Sequence, residues 1–160
     1  MLAGVTDSGP GVRVCDFAEV TVAAQLLHDF NTEFDTATPS VAELAERLRE
    51  LIGRPDIEIL LAGEPGVAVA VTTFRPSVWG PGPVALLEEL YVRPELRSRG
   101  IGAAVLQRAI DSARERGGTT FEINVDEGDV DAQRFYRRHG FTDDEIPQTG
   151  ERAFYFHREI

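Results

Sequence analysis

ELYVRPELRSRGIG, residues Glu89–Gly102, is the stretch on which the fold turns. A strand ends at Val92, and Pro94 turns the chain. Arg97, Ser98, Arg99, Gly100, Ile101 and Gly102 then run directly into a helix. A helix start offers backbone N–H groups without partners and a partial positive charge. Glycines at 100 and 102 remove the Cβ atoms that would hold an anion off. Arg97 and Arg99 add charge at the same mouth. The arrangement suits a pyrophosphate. It is not a Walker loop, which needs GxxxxGK[ST]. Nor is it a dinucleotide fingerprint, which needs a third glycine and a tighter strand–helix spacing. Alone, the turn says that an anion binds.

The elements around the turn follow from periodicity and breakers. Val12–Phe17 alternates Val12 and Val14 with Arg13 and reads as a first strand. Asp16 followed by Glu19 opens a helix to about Phe30, with Ala23, Leu27 and Phe30 on one face. Asn31–Pro39 is a polar loop. Ser40 and Glu43 form a capping box for a helix through Leu44, Leu48, Leu51 and Ile52, which Gly53 and Pro55 stop. Ile57–Ala62 and Val67–Phe74 read as strands joined by the turn Gly63–Gly66. The loop Arg75–Pro83 is rich in breakers and holds the only tryptophan. Val84–Val92 is a further strand. Arg99–Arg116 is an amphipathic helix with Ile101, Val105, Ala109 and Ala113 near one stripe, ended by Gly117 and Gly118. Thr119–Val125 is a strand. Asp129–His139 is a short helix with Ala132, Phe135 and Tyr136 on one side, and Arg152–Arg158 a last strand. The order β-α-α-β-β-β-α-β-α-β predicts an α/β or α+β domain with a mixed sheet.

Composition narrows the function. The 160 residues fit one domain, with residues 1–11 as a loose lead-in. A net charge of −11 repels phosphate backbones and attracts cations. It argues against nucleic acid and favours a cationic amine, although acidity also serves solubility. No apolar run is long enough to cross a bilayer. The opening residues lack the basic flank and apolar stretch of a secretory signal. Cys15, the single cysteine, makes no internal disulfide, and no Cys/His cluster suggests a metal. A cytoplasmic enzyme without metal or membrane partner is the expectation.

Two motifs then carry a resemblance. Val92-x-Pro94-x-x-Arg97-x-x-Gly100-x-Gly102, between strand and helix, is similar to the acyl-CoA-binding motif of the GNAT superfamily of N-acetyltransferases. DAQRFYRRHGF, Asp131–Phe141, resembles its second signature: an alanine, a tyrosine four residues on, then Gly-Phe. The resemblance follows the element order of the whole chain and is strongest over residues 84–141. It implies a mixed, mostly antiparallel sheet of six to seven strands flanked by about four helices. It implies acetyl-CoA as co-substrate. The turn Arg97–Gly102 would hold its pyrophosphate, and the backbone of Leu90, Tyr91 and Val92 would run beside its pantetheine arm at a bulge. Within the superfamily the chain most resembles the diamine (spermidine/spermine, thialysine) acetyltransferases, through Phe74-x4-Trp79, Leu87-Glu88-Glu89 and Phe135-Tyr136-basic-Arg138-x-Gly140. The Trp79–Glu88 interval here is one residue longer. That likeness implies Glu88 as base, and the superfamily resemblance implies Tyr136 as acid. The superfamily resemblance also implies a homodimer paired through the C-terminal strands, where Phe154, Tyr155 and Phe156 are more apolar than a free edge should be.

The chemistry gives each candidate a task. An ammonium substrate must lose a proton before it attacks a thioester, and the departing thiolate gains from an acid. The Tyr136 phenol, with a reference pKa of about 10, can donate at neutral pH; its other reading is packing beside Phe135. Glu88 and Glu89 are the base candidates. Strict alternation places one on each face of a largely buried strand, where a carboxylate needs a partner or has its pKa raised. A bulge would shift that alternation, so which one faces the substrate stays open. Trp79, Glu33 and Asp35 lie in loops expected to line the acceptor side, where aromatic and acidic groups suit an ammonium. Glu33 and Asp35 read also as solvated loop charges. Asp129 reads as a helix N-cap, and His28, His139 and His157 as structural. The expected activity is direct acetyl transfer to a small primary amine in a ternary complex. Protein N-terminal or lysine acetylation and non-catalytic acyl-CoA binding are the competing readings.

Overall fold

Period-two apolar patterning sets up the sheet. The computed structural model describes residues 11–146, 149–152, 154 and 156–159. Five strands lie in the order β1-β2-β3-β4-β5: β1 Val12–Val14, β2 Ile57–Ala62, β3 Ala68–Arg75, β4 Val84–Val92 and β5 Thr120–Ile123. The first four pair antiparallel. Ile59, Leu61, Val69 and Tyr91 point to one face. There they meet Val20, Ala23, Ala24 and Leu26 of α1 (Val20–Glu33) and Ala45 and Leu48 of α2 (Val41–Leu51). On the other face, Phe74 and Ala85 meet Ala113 of α3 (Ile101–Glu115). Leu26, Leu60, Leu61 and Leu106 are fully buried, each contributing about 2 kcal/mol by leaving water.

Contacts divide the chain into two compact units, Met1–Glu122 and Ile123–Ile160. The second holds α4 (Val130–Arg138) and a two-stranded antiparallel ribbon of β6 (Asp144–Ile146) and β7 (Glu151–Arg152). Apart from Gly11, the expected lead-in at 1–11 lies outside the described residues.

Signals that are local in sequence hold closely. The strands β2 and β4 occupy the spans their patterning predicts. Ser40 Oγ accepts the Glu43 N–H at 3.3 Å, and Glu43 Oε2 accepts the Ser40 N–H at 2.9 Å, completing the capping box. Asp129 caps α4 by accepting the Ala132 N–H at 2.9 Å.

Three expectations need correction. Asp16 and Glu19 do bond reciprocally, at 3.1 and 3.3 Å, but they close a turn, and the helix runs Val20–Glu33 rather than from Asp16 to about Phe30. No breaker follows Phe30 until Asp35 turns left-handed at φ 51°, so Glu33 is helical and not in a loop. Among the described residues, the expected sheet of six to seven strands is a sheet of five, and β6 and β7 pair with each other. Among the described residues, the strand expected over Arg152–Arg158 is confined to Glu151–Arg152, while Phe154 and residues 156–159 carry none. Ala153 and Tyr155 lie outside the described residues. An aromatic run becomes a strand only where a partner offers hydrogen bonds, and here the partner is the three-residue β6.

The register between β3 and β4 slips once. Val71 opposes Glu89 while Thr72 opposes Leu87. Glu88 is the extra residue of a β-bulge, whereas Leu90–Val92, where the resemblance implied a bulge, stay in register with Ala70–Ala68.

Candidate active site

The turn before α3 is shaped by its backbone. A single 3-10 turn, Pro94–Leu96, leads into it. Ser98 and Gly100 then both adopt positive φ, 59° and 80°. Gly100 is the N-cap, and no side chain closes the helix start. The Ala104 N–H donates to Gly100 O at 3.0 Å, which leaves the amides of the first turn for another acceptor. A Cβ on Gly100 would meet nothing within 4 Å. The left-handed backbone is therefore what requires glycine there, and the space above it is open. Ser98, Arg99 and Gly100 are exposed, and Ile101 and Gly102 half-buried. Backbone amides at a helix start, with open space beside Gly100, make a cradle of the kind that suits an anion such as a pyrophosphate.

Arg97 does not project freely into that cradle as expected. Its Nη1 and Nη2 donate to Glu33 Oε1 and Oε2, both at 2.7 Å, and its Nε donates to Val92 O at 2.9 Å. The guanidinium lies 5.5 Å from the Tyr91 ring centre, and Tyr91 stacks on Phe30 at 5.4 Å. The Arg97 hydrogen bond holds the Glu33 carboxyl below its usual range, and the same bond raises Arg97. Burial pushes the Tyr91 phenol up. Glu33 and Arg97 stand 64 positions apart, and nothing in the sequence joins them.

The bulge rearranges the two carboxylates. Val71 shares its face with Ile59, its β2 partner, so Glu89 opposite Val71 lies on the α1/α2 side of the sheet. Phe74 faces α3, so its neighbour Thr73 faces away from it. Thr73 Oγ1 donates to Glu88 Oε1 at 2.7 Å, which brings Glu88 to the same side. One on each face was the expectation; the inserted residue places both on one. Glu88 is exposed and Glu89 half-buried. Burial, and then the charge of Glu88, push the Glu89 carboxyl above its usual range. Thr73 was not singled out from sequence, because its contact depends on the slipped register.

The expected acceptor-side residues do not gather. Trp79 is 95% exposed on the loop between β3 and β4. A Cβ on Gly82 of that loop would fall 1.8 Å from Gly117 O, so the loop is seated at the C-terminal end of α3. Glu33 belongs to the other end of β4, tied to Arg97, which is itself bonded to Val92, and Asp35 follows it by two residues in the chain. Strand β4 covers nine residues between those ends, roughly 27 Å at about 3.4 Å per residue. Glu88 and Glu89 lie near its middle. Leu90, Tyr91 and Val92 oppose Ala70, Val69 and Ala68 along one edge of β4. In the second unit, Tyr136 is half-buried on α4, 5.1 Å from the Phe135 ring and 5.7 Å from that of Phe141. Among the described residues no group of three His, Cys, Asp or Glu side chains could hold a metal.

The chain is similar to known proteins. A family model described as the acetyltransferase (GNAT) family matches residues 23–141. The crystal structure of a candidate acetyltransferase from Arthrobacter sp. FB24 is 48% identical, with a TM-score of 0.90 over 98% of this chain and 100% of that one. An uncharacterised N-acetyltransferase of Methanocaldococcus jannaschii is 40% identical over 63 residues, 39% of this chain and 28% of the other. The thialysine N-epsilon-acetyltransferase of Caenorhabditis elegans is 28% identical over 112 residues, 69% of this chain and 68% of that protein. The stretch shared with the archaeal protein is thus less than two thirds of that relative's length.

Proposed function

The chain belongs to the acetyltransferase (GNAT) family, and from that premise we propose that it moves an acetyl group from acetyl-CoA to a small cationic primary amine. One observation carries the proposal. The bulge puts Glu88 and Glu89 on one face of β4, between the anion-binding turn and the loop that presents Trp79. Acetyl-CoA supplies the activated acyl thioester. The amides of Ser98–Gly102 and the charge of Arg99 hold the pyrophosphate, with Leu90–Val92 beside the pantetheine arm. Glu88 is exposed to an incoming ammonium, is fixed by the Thr73 hydroxyl, and takes the proton. Tyr136, assigned by the motif it sits in, returns a proton to the leaving sulfur. Cys15, the only cysteine, is buried, and burial pushes its thiol up to about 11. Burial of the sole thiol away from solvent supports direct attack in a ternary complex.

Glu88→Gln and Tyr136→Phe are each expected to lower kcat by about a hundredfold or more, with acetyl-CoA affinity little changed. Unchanged turnover in both removes the assigned roles. A second reading rests on the raised Glu89 carboxyl, a better match to a base near neutral pH. If Glu89 is the base, kcat/KM rises as pH increases through its pKa. Glu88→Gln then keeps most activity and moves that acid limb to lower pH, because it removes one of the two causes of the shift. A panel of polyamines, aminoglycosides and peptides, read by free thiol release, separates small amines from protein acceptors. Coenzyme binding without transfer to any amine would leave a non-catalytic module. Phe154 and Phe156, 71% and 88% exposed, support pairing of two copies through this segment, which sedimentation would test. No helix among the described residues is long and apolar enough to cross a membrane.

A further inference from the structure

Arg97 sits in the position from which a cation would reach a bound phosphate, yet its guanidinium fork is taken by the carboxylate that ends α1. Both oxygens of Glu33 are used, at 2.7 Å each, and Nε is fixed to Val92 O at 2.9 Å. Two planar groups joined by parallel bonds allow one geometry. The residue after Arg97 is Ser98, held left-handed at φ 59° with a side chain that disfavours that region. The residue two after Glu33 is Asp35, also left-handed, at φ 51°. The only non-glycine residues with positive φ among those described therefore flank the two ends of this bridge. Strained backbone persists where its surroundings over-determine it. Here those surroundings are the bridge, the Val92 carbonyl and the Phe30–Tyr91 stack beneath the guanidinium.

We propose that Glu33 is a positioning residue for the coenzyme turn, holding Arg97 as a strut between α1 and β4 so that Ser98 and Gly100 stay in the anion-binding conformation. This rests on the reading of the turn as the pyrophosphate site. Arg97 then acts through the backbone it braces, and the phosphate charge is met by amides and Arg99. The bridge is partly exposed, with side-chain exposures of 40% and 28%, so its value lies in geometry more than in fold stability. Without it the turn samples other conformations, and affinity falls in proportion to the competent fraction.

The test is calorimetric titration of the full chain with coenzyme A, alongside steady-state kinetics. Glu33→Gln should weaken coenzyme A binding about tenfold and raise KM for acetyl-CoA by the same factor. The kcat value and the melting temperature should stay near wild type. Arg97→Lys, which keeps the charge and loses the fork, should do the same. In an Arg97→Gln background the Glu33 substitution should add nothing. Unchanged affinity in Glu33→Gln overturns the proposal. Tighter binding also overturns it, by showing that Glu33 competes with the phosphate for Arg97. If the wild-type chain itself binds no coenzyme A, it is the reading of the turn that fails.

Discussion

Glu89 carries a cost that the fold tolerates. Burial and the neighbouring Glu88 both push its carboxyl above the ordinary range. Such a group stabilises the folded state while protonated. That contribution is complete below the unfolded pKa and is lost as pH rises through the folded one. Once ionised, Glu89 therefore works against the fold. Glu89→Gln keeps the shape without the charge. It should melt above wild type at about pH 7.5, with the gap closing as pH falls toward about 4. Equal melting temperatures at both ends would remove the strain assigned to Glu89. A second residue-scale cost lies under α3, where Thr72 Oγ1 and Ser112 Oγ are buried without a hydrogen-bond partner. A buried polar atom left unpaired costs about 1–3 kcal/mol. Thr72→Val and Ser112→Ala should each raise stability by roughly 1 kcal/mol in urea unfolding. A loss of stability in both would mean that the hydroxyls are satisfied.

At the scale of elements, the end of α3 and the β3–β4 loop form one joint. Gly117, at φ 79°, closes the helix, and the Gly118 N–H returns to Ala113 O at 2.9 Å. Gly82 lies against this cap, with no room for a Cβ beside Gly117 O. Gly82→Ala must displace backbone on both sides and should cost about 3 kcal/mol or more, read as a drop in urea midpoint. Gly80→Ala in the same loop, where a Cβ would meet nothing within 4 Å, should cost far less. The joint also marks where sequence reading stops. Gly117 and Gly118 were legible as a helix stop, because a cap is written within a few residues. The same holds for the Ser40–Glu43 box and for the span of β4. The seating of Gly82 was not legible, since it joins two distant elements. Nor was the bulge at Glu88, a property of two strands in register and not of either alone. Strict alternation consequently misplaced one carboxylate. The turn itself was readable as a local pattern of proline, arginine and glycine, but the partner that fixes its arginine lies 64 positions away. Trp79, Glu33 and Asp35 all suited an ammonium by residue type. Only the fold shows that Trp79 and Glu33 belong to opposite ends of β4.

At the scale of the whole molecule, charge acts differently on the two substrates. The chain carries a net charge of −11, a field that draws cations and repels anions over roughly a Debye length, about 10 Å at 0.1 M salt. A polyamine, as the proposed acceptor, would approach down this field. Acetyl-CoA, itself anionic, would approach against it and meet the proposed turn, where Arg97 is already neutralised by Glu33. The proposed pair of substrates should thus respond to salt with opposite sign. Raising ionic strength from about 20 to 200 mM should lower kcat/KM for a polyvalent amine several-fold, because screening removes the steering. Over the same range kcat/KM for acetyl-CoA should hold steady or rise, since screening removes repulsion. The sign, more than the size, carries the information. A flat response for every amine tested would show that net charge serves solubility alone. A strong fall for acetyl-CoA would show that cations at the turn, rather than backbone amides, dominate its capture, and Arg99 would then have to bear most of that attraction.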